Sequence, residues 1–467
     1  MLRMIALLAS LAGWAGASAQ PVADLSDRVR QHIRHDAPQI ALVGVRLVDG
    51  SGDPARADQT VLIEDGRIRQ VGPAADISVP DGFTVLDLAG HSVIPGLVGL
   101  HNHLHYPGTP ASHHTAPHLY LAGGVTTLFS AGSAAPVAEL NMARAVERGY
   151  GPGPDMRIAA PYVTGPDGNW VMAQPDTAEA AHRFVDYWTE NGVAGFKLYR
   201  HVTPDIARAV ITRAHAHGLP VTGHLCSLTY RQAAEMGIDR IEHGFLSMSD
   251  LVGDKPEGVC TATLASLETS DPDGEAIGAV IAALVDHDVT LTSTLAIIES
   301  HFAQRPQGDA RSLTMLAPEA RAAYDSRQDA LAARLETTRF TPELFGRVLA
   351  FERRFVAAGG HLVAGPDTGR HIIPGHGDQR NVELLVEAGF TVEQAVRIAT
   401  HNGAVELGLG TDRGLIRAGY RADLVVLQGD LSADISRIRH PQIVFRNGLG
   451  YDPESLAEAA VGQVGLR

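Results

Sequence analysis

The chain has 467 residues, 45% hydrophobic and 19% charged, with 49 glycines and 26 prolines, an ordinary globular composition long enough for one large domain and a smaller one. Its 38 basic against 53 acidic residues leave a formal charge of −15 without any lysine/arginine run, which argues against a nucleic-acid partner. Two cysteines, Cys226 and Cys260, are too few for a disulfide scaffold; an oxidising compartment would let them pair, and sequence leaves that pairing open.

The first twenty residues, MLRMIALLASLAGWAGASAQ, carry Arg3, an apolar run from Ile5 to Ala17 and the small-x-small ending Ala17-Ser18-Ala19. This reads as a secretory signal over 1–19, cleaved after about Ala19, with an apolar run too short to span a membrane. No other segment approaches about 18 uninterrupted apolar residues, so stable membrane insertion is not expected. The mature chain is expected to be exported, most simply to a periplasm.

Residues 20–38 read as a polar lead-in. From 39 to 95, IALVGVRLVDGSGD, QTVLIEDGRIRQVG and FTVLDLAGHSVIPG read as strands joined by Asp-Gly or glycine-containing turns. GLIRAGYRADLVVLQGD and PQIVFRNG repeat the pattern within 409–450, ahead of a tail over 451–467. Two β segments flanking the chain predict one small β-sandwich assembled from both termini. Between them, over about 96–408, short apolar runs alternate with helix-like stretches. VIPGLVGLHNH, GVTTLFSAG, MRIAAPYVTG, VAGFKLY, LPVTGHL, DRIEHG, VTLTSTLAII and HLVAGPDTG are eight strand candidates, which predicts an α/β fold of the (β/α)8 barrel type. Residues 250–350 exceed one barrel step, and most of the excess reads as a helical insertion over the mouth.

Reactive groups in such a barrel sit at the C-terminal strand ends. His101 and His103 end the first strand two residues apart and so face the same side. Lys197 ends the fourth, His224 the fifth, His243 the sixth and Asp367 the eighth. Four imidazoles and a carboxylate suit a divalent metal. The lysine is the odd member, since an ammonium repels a cation. It makes sense if CO2 carboxylates it to a bridging carbamate, which arginine cannot become. Of the 38 basic residues only Lys197 and Lys255 are lysine, so its presence here is informative.

PGLVGLHNH followed by GVTT, GFKLY, GHL, IEHG and AGPDTG resembles the amidohydrolase superfamily, above all members related to imidazolonepropionase and prolidase-type dipeptidases. The late run EAGFTVEQAVRIATHNGAVELGLGTDRGLIRAGYRADLVVL is similar to the same family, and the resemblance spans about 40–448. It implies two divalent metal ions, zinc being the first expectation, with His101, His103 and Asp367 on one, His224 and His243 on the other, and N6-carboxylated Lys197 bridging. A hydroxide between the metals would attack a carbonyl carbon, Asp367 taking its proton and passing it to the leaving group. The expected partner is a small amide or peptide (a dipeptide, an N-acyl amino acid or a related amide), and the family's habit allows a homo-oligomer.

There are departures from the family pattern. Gly99 stands where an aspartate is common, and Cys226 where dipeptidase-like members have a tyrosine that binds a substrate carboxylate. Tyr199, Arg200 or Tyr230 would have to supply that recognition. His105 and His371 are further candidates for substrate contact. His376 is a candidate of the same kind, and His113, His114 and His118 remain unassigned. A mononuclear deaminase or cyclic-amide hydrolase on the same fold is one alternative, which Lys197 argues against. Ester or lactone hydrolysis is another, and a non-catalytic binding relative would have no need of the full ligand set.

Overall fold

A computed structural model describes residues 21–106, 112–169, 171–261, 264–306, 308–369 and 371–466. The expected signal segment, 1–19, lies outside the described residues.

Both ends of the chain contribute to one mixed sheet of nine strands. Its order runs Ile33–His35, Leu449–Tyr451, Pro441–Arg446, Leu424–Gln428, His91–Pro95, Gln39–Leu47, Arg56–Glu64, Arg67–Pro73, with Thr84–Asp87 pairing alongside Gln39–Leu47. The expected sandwich is therefore one continuous ladder. The cause is Gln39–Leu47, which carries two irregularities in register between Leu42 and Leu47 and has Gly44 at φ 74°. Arg56–Glu64 pairs with it from Gln39 to Leu47, while on the other edge its first half pairs with Thr84–Asp87 and its end with His91–Pro95. Ile40, Leu42, Val61, Val93, Leu424, Val426 and Phe445 fill the core enclosed between the two halves. The lead-in supplies a strand, and the tail supplies the helix Pro453–Glu458.

The central segment forms two parallel sheets in chain order. One holds Leu97–Asn102, Val125–Ser130 and Asp155–Ile158; the other holds Tyr162–Val163, Phe196–Leu198, Val221–Gly223, Arg240–Glu242, Thr290–Ser293 and Leu362–Ala364. Ladder pairing stops between the two sheets, and single bonds stitch the seams. Ala194 N donates to Ile158 O (2.7 Å) and Ala160 N to Gly195 O (2.9 Å) at one; Asp367 N donates to His101 O (2.9 Å) at the other. All of these strands but Asp155–Ile158, where Asp155 and Arg157 are partly exposed, are buried along their whole length, as expected of parallel strands covered by helices.

The long segment after residue 250 holds the helices Leu264–Thr269, Glu275–Asp286, Leu295–Glu299, Ala310–Thr314, Pro318–Ala332 and Pro342–Ala357, with the strand Thr290–Ser293 among them. A Cys226–Cys260 disulfide, Cα atoms 4.8 Å apart, ties its start to the loop that follows Val221–Gly223.

Candidate metal centre

His101 lies on the strand Leu97–Asn102 and His103 just beyond it, and both are buried. Asp367 reaches them from the neighbouring strand end: its Oδ1 is 3.0 Å from His103 Nε2 and 3.5 Å from His101 Nε2. One ligand atom from each residue lies within 4.8 Å of the others. The approach depends on Gly365, because a Cβ there would stand 2.2 Å from His101 N. His243 adds its Nδ1 at 3.7 Å from Asp367 Oδ2, and its ring centroid is 4.4 Å from that of His224. Asp367 (φ 55°) and His243 (φ 69°) both hold left-handed backbone, a conformation that costs about 1–3 kcal/mol and concentrates at functional sites.

Nδ1 of three of the four imidazoles is anchored. His101 Nδ1 bonds Glu242 Oε2 (2.6 Å), His103 Nδ1 meets the Tyr162 hydroxyl (3.3 Å), and His243 Nδ1 meets Thr294 Oγ1 (2.9 Å). Such outer contacts fix ring orientation, and they leave the Nε2 atoms of His101 and His103 facing Asp367. Glu242 also accepts from Thr222 and from Arg240 Nε (3.2 Å), so it is a fully buried hub. Burial alone would raise its carboxyl, yet Lys197, His101 and Arg240 together hold it well below the usual range. Burial would likewise raise Asp367, and His101, the hydrogen bond from His103 and His243 outweigh it. Burial depresses His224 well below an ordinary imidazole and His243 to about 3, so both are neutral donors at neutral pH.

Lys197 is 1% exposed; among the described residues its Nζ has no hydrogen-bond acceptor, and Glu242 Oε1 lies 3.8 Å away. Burial lowers it to about 8. An orphaned amine beside converging imidazole edges and an ionised carboxylate fits a centre completed by a divalent metal and a modified lysine.

A cavity of about 340 Å³ opens on these groups. Tyr199 and Arg200 line it, together with Tyr106 and Tyr162. The Tyr106 and Tyr199 hydroxyls hydrogen-bond at 3.1 Å. Burial holds the Tyr162 and Tyr199 phenols neutral, well above their ordinary range. A larger groove of about 1470 Å³, lined by Asp155, Val193 and Asp239, opens at the opposite ends of the strands and holds none of these side chains.

Three expected contacts lie elsewhere. Tyr230 begins the helix Tyr230–Glu235 and is wholly buried, its hydroxyl donating to Gly244 O (2.7 Å) and meeting Ser247 Oγ (3.1 Å). His371 lines a separate cavity of about 180 Å³ with His376 and Arg380, its ring 5.4 Å from that of Tyr324. The turn that joins Gly369 to Ile372 carries it away from the mouth. His105 is half-buried against His113, ring centroids 5.8 Å apart, and does not line the site cavity. Glu242, Tyr162 and Thr294 were not expected. The signal available for Glu242 was its place in the strand segment DRIEHG, directly before His243.

The Amidohydrolase family profile matches residues 367–449. A dihydroorotase of Mycobacterium tuberculosis is 38% identical over 97 residues, which cover 20% of this chain and 22% of that protein's length. An imidazolonepropionase of Nocardia farcinica is 28% identical over 256 residues, 44% of this chain and 64% of that protein. Among solved structures, a bottromycin amidohydrolase shares the fold with a TM-score of 0.68 at 20% identity, covering 95% of this chain and 94% of that one. A Xaa-Pro dipeptidase with methionine in its active site does so at 0.63 and 18% identity, covering 89% of this chain and 100% of that one.

Proposed function

We propose that this chain, whose residues 367–449 match the Amidohydrolase family profile, is an exported hydrolase of amide-type C–N bonds with a two-metal centre. The observation that carries the reading is the convergence of His101, His103 and Asp367 within 4.8 Å beside a buried amine that lacks a hydrogen-bond acceptor. His101, His103 and Asp367 would hold one divalent ion, zinc being the first choice, and His224 and His243 the other. Lys197, carboxylated on Nζ, would bridge them. The modification needs a neutral amine: its lone pair bonds the carbon of CO2, a proton leaves, and the product is an anionic carbamate. An amine held near 8 supplies that neutral form far more readily than an exposed lysine does. When bound, the metal pair acidifies the attacking water and polarises the scissile carbonyl.

The remaining work falls to the chain. Asp367 is ionised and aimed at the centre, so it accepts the water proton and returns it to the departing nitrogen. Glu242 and Tyr162 hold His101 and His103 in place. The nine parallel strands are read as the eight positions of one barrel, Asp155–Ile158 and Tyr162–Val163 sharing the third, with the site at their C-terminal ends. The Cys226–Cys260 disulfide supports export to an oxidising compartment.

The test is to load the purified chain with zinc and bicarbonate and screen N-acyl amino acids and dipeptides for amine release, beside Asp367→Asn. Release by the parent and its loss in the variant is the expected result. Turnover of esters or lactones without any amide would move the chemistry to the alternative.

A further inference from the structure

The cavity wall divides into two kinds of surface. Leu246, Leu264, Ile297 and Phe340 are half-buried apolar residues that line it, three of them from the segment after residue 250. The His301 ring stacks on Phe340, centroids 5.2 Å apart and 20° between planes, which extends a flat ring surface. At the rim stands Arg200, exposed, with no carboxylate in ion-pair range among the described residues. Its backbone is fixed, since Arg200 O accepts from Ser227 N (2.9 Å). Its guanidinium lies 3.7 Å from Cys260 Sγ, against the disulfide that ties the apolar wall to the site. Asp367 is the one carboxylate among the cavity's lining residues, and it faces the metal ligands.

A guanidinium without a carboxylate partner among the described residues, beside apolar and aromatic surface, describes a ligand with one anionic end and one apolar body. We propose that the substrate is an N-acyl amino acid or dipeptide with a free carboxylate and a bulky apolar group, the carboxylate docking on Arg200 and the apolar group on Leu264, Ile297 and Phe340. This assignment rests on the reading of the chain as an amide hydrolase. It places carboxylate recognition on the residue three beyond Lys197 and leaves none to Cys226, whose sulfur is committed to the disulfide.

The experiment uses the full mature chain loaded with zinc and bicarbonate, and three probes: N-benzoyl-phenylalanine, its C-terminal carboxamide, and N-acetylglycine. Binding is followed by calorimetry and hydrolysis by chromatography, for the parent, Arg200→Gln and Phe340→Ala. The parent is expected to favour the acid over its carboxamide by about ten-fold or more, with Arg200→Gln erasing that preference through KM and Kd. Phe340→Ala is expected to weaken N-benzoyl-phenylalanine but not N-acetylglycine. Equal treatment of acid and carboxamide by the parent would overturn the proposal, as would an acid preference that survives Arg200→Gln. Arg200-dependent binding of the acid without hydrolysis would uphold the docking assignment and sink the hydrolase reading instead. Absence of binding by all three probes would overturn the docking assignment.

Discussion

Asp378 stands where a side chain on Gly99 would have to go: its Oδ1 lies 3.0 Å from a Cβ built at Gly99, and Asn102 Nδ2 lies 2.2 Å from the same point. Asn102 Nδ2 donates to that Oδ1 (3.2 Å), and the other oxygen accepts from Gly375 N. The carboxylate common in the family just before the histidine pair is thus matched here by one from the helix His376–Glu387. Gly99→Asp is therefore expected to overpack the site and destabilise the protein by about 1–3 kcal/mol, read as a lower unfolding midpoint. A midpoint equal to the parent's would mean that the space is available.

Removing the charge from Glu242 leaves its shape but loosens His101 and takes away one of the two carboxylates that pair with Arg240, Glu406 being the other. Glu242→Gln is expected to weaken metal affinity by about 10–100-fold in competition with a chelator, on protein whose circular dichroism matches the parent. Tyr162→Phe removes a longer, uncharged bond to His103 and is expected to cost less, about five-fold. The order of the two variants is the diagnostic. A larger loss for Tyr162→Phe would contradict the hub assigned to Glu242.

Glu352 is wholly buried, and burial raises its carboxyl from 4.5 to about 8. The folded state therefore keeps this proton over a pH range in which the unfolded chain has released it. The stabilisation is complete below 4.5 and is lost as pH rises through about 8. Glu352→Gln cannot release a proton, so its stability relative to the parent is expected to increase between about pH 5 and 8 and to level off above that. Denaturant midpoints across that range check it; a constant difference would show that Glu352 titrates normally.

What sequence revealed and what it hid follow from how local each signal is. His101 and His103 were legible because a period of two at the end of an apolar run has one geometric meaning. Arg200 and Tyr199 were legible as neighbours of Lys197 beyond a strand end. Tyr230 misled, although Thr229 and Gln232 already spell the capping box that puts it at a helix start, packed inward. His371 was close in sequence to Asp367, but the Gly369–Ile372 turn separates them in space. Glu242 and Tyr162 matter through partners on other strands, and no local pattern records those distances.

The most direct test of the two-metal centre is elemental analysis of the chain, purified without chelator in the presence of bicarbonate, beside Lys197→Ala. The account predicts two divalent ions per chain in the parent and a clear loss in the variant, with CO2 released from the parent on acidification. A single ion in both proteins, or none in the parent after metal and bicarbonate are supplied, would contradict it.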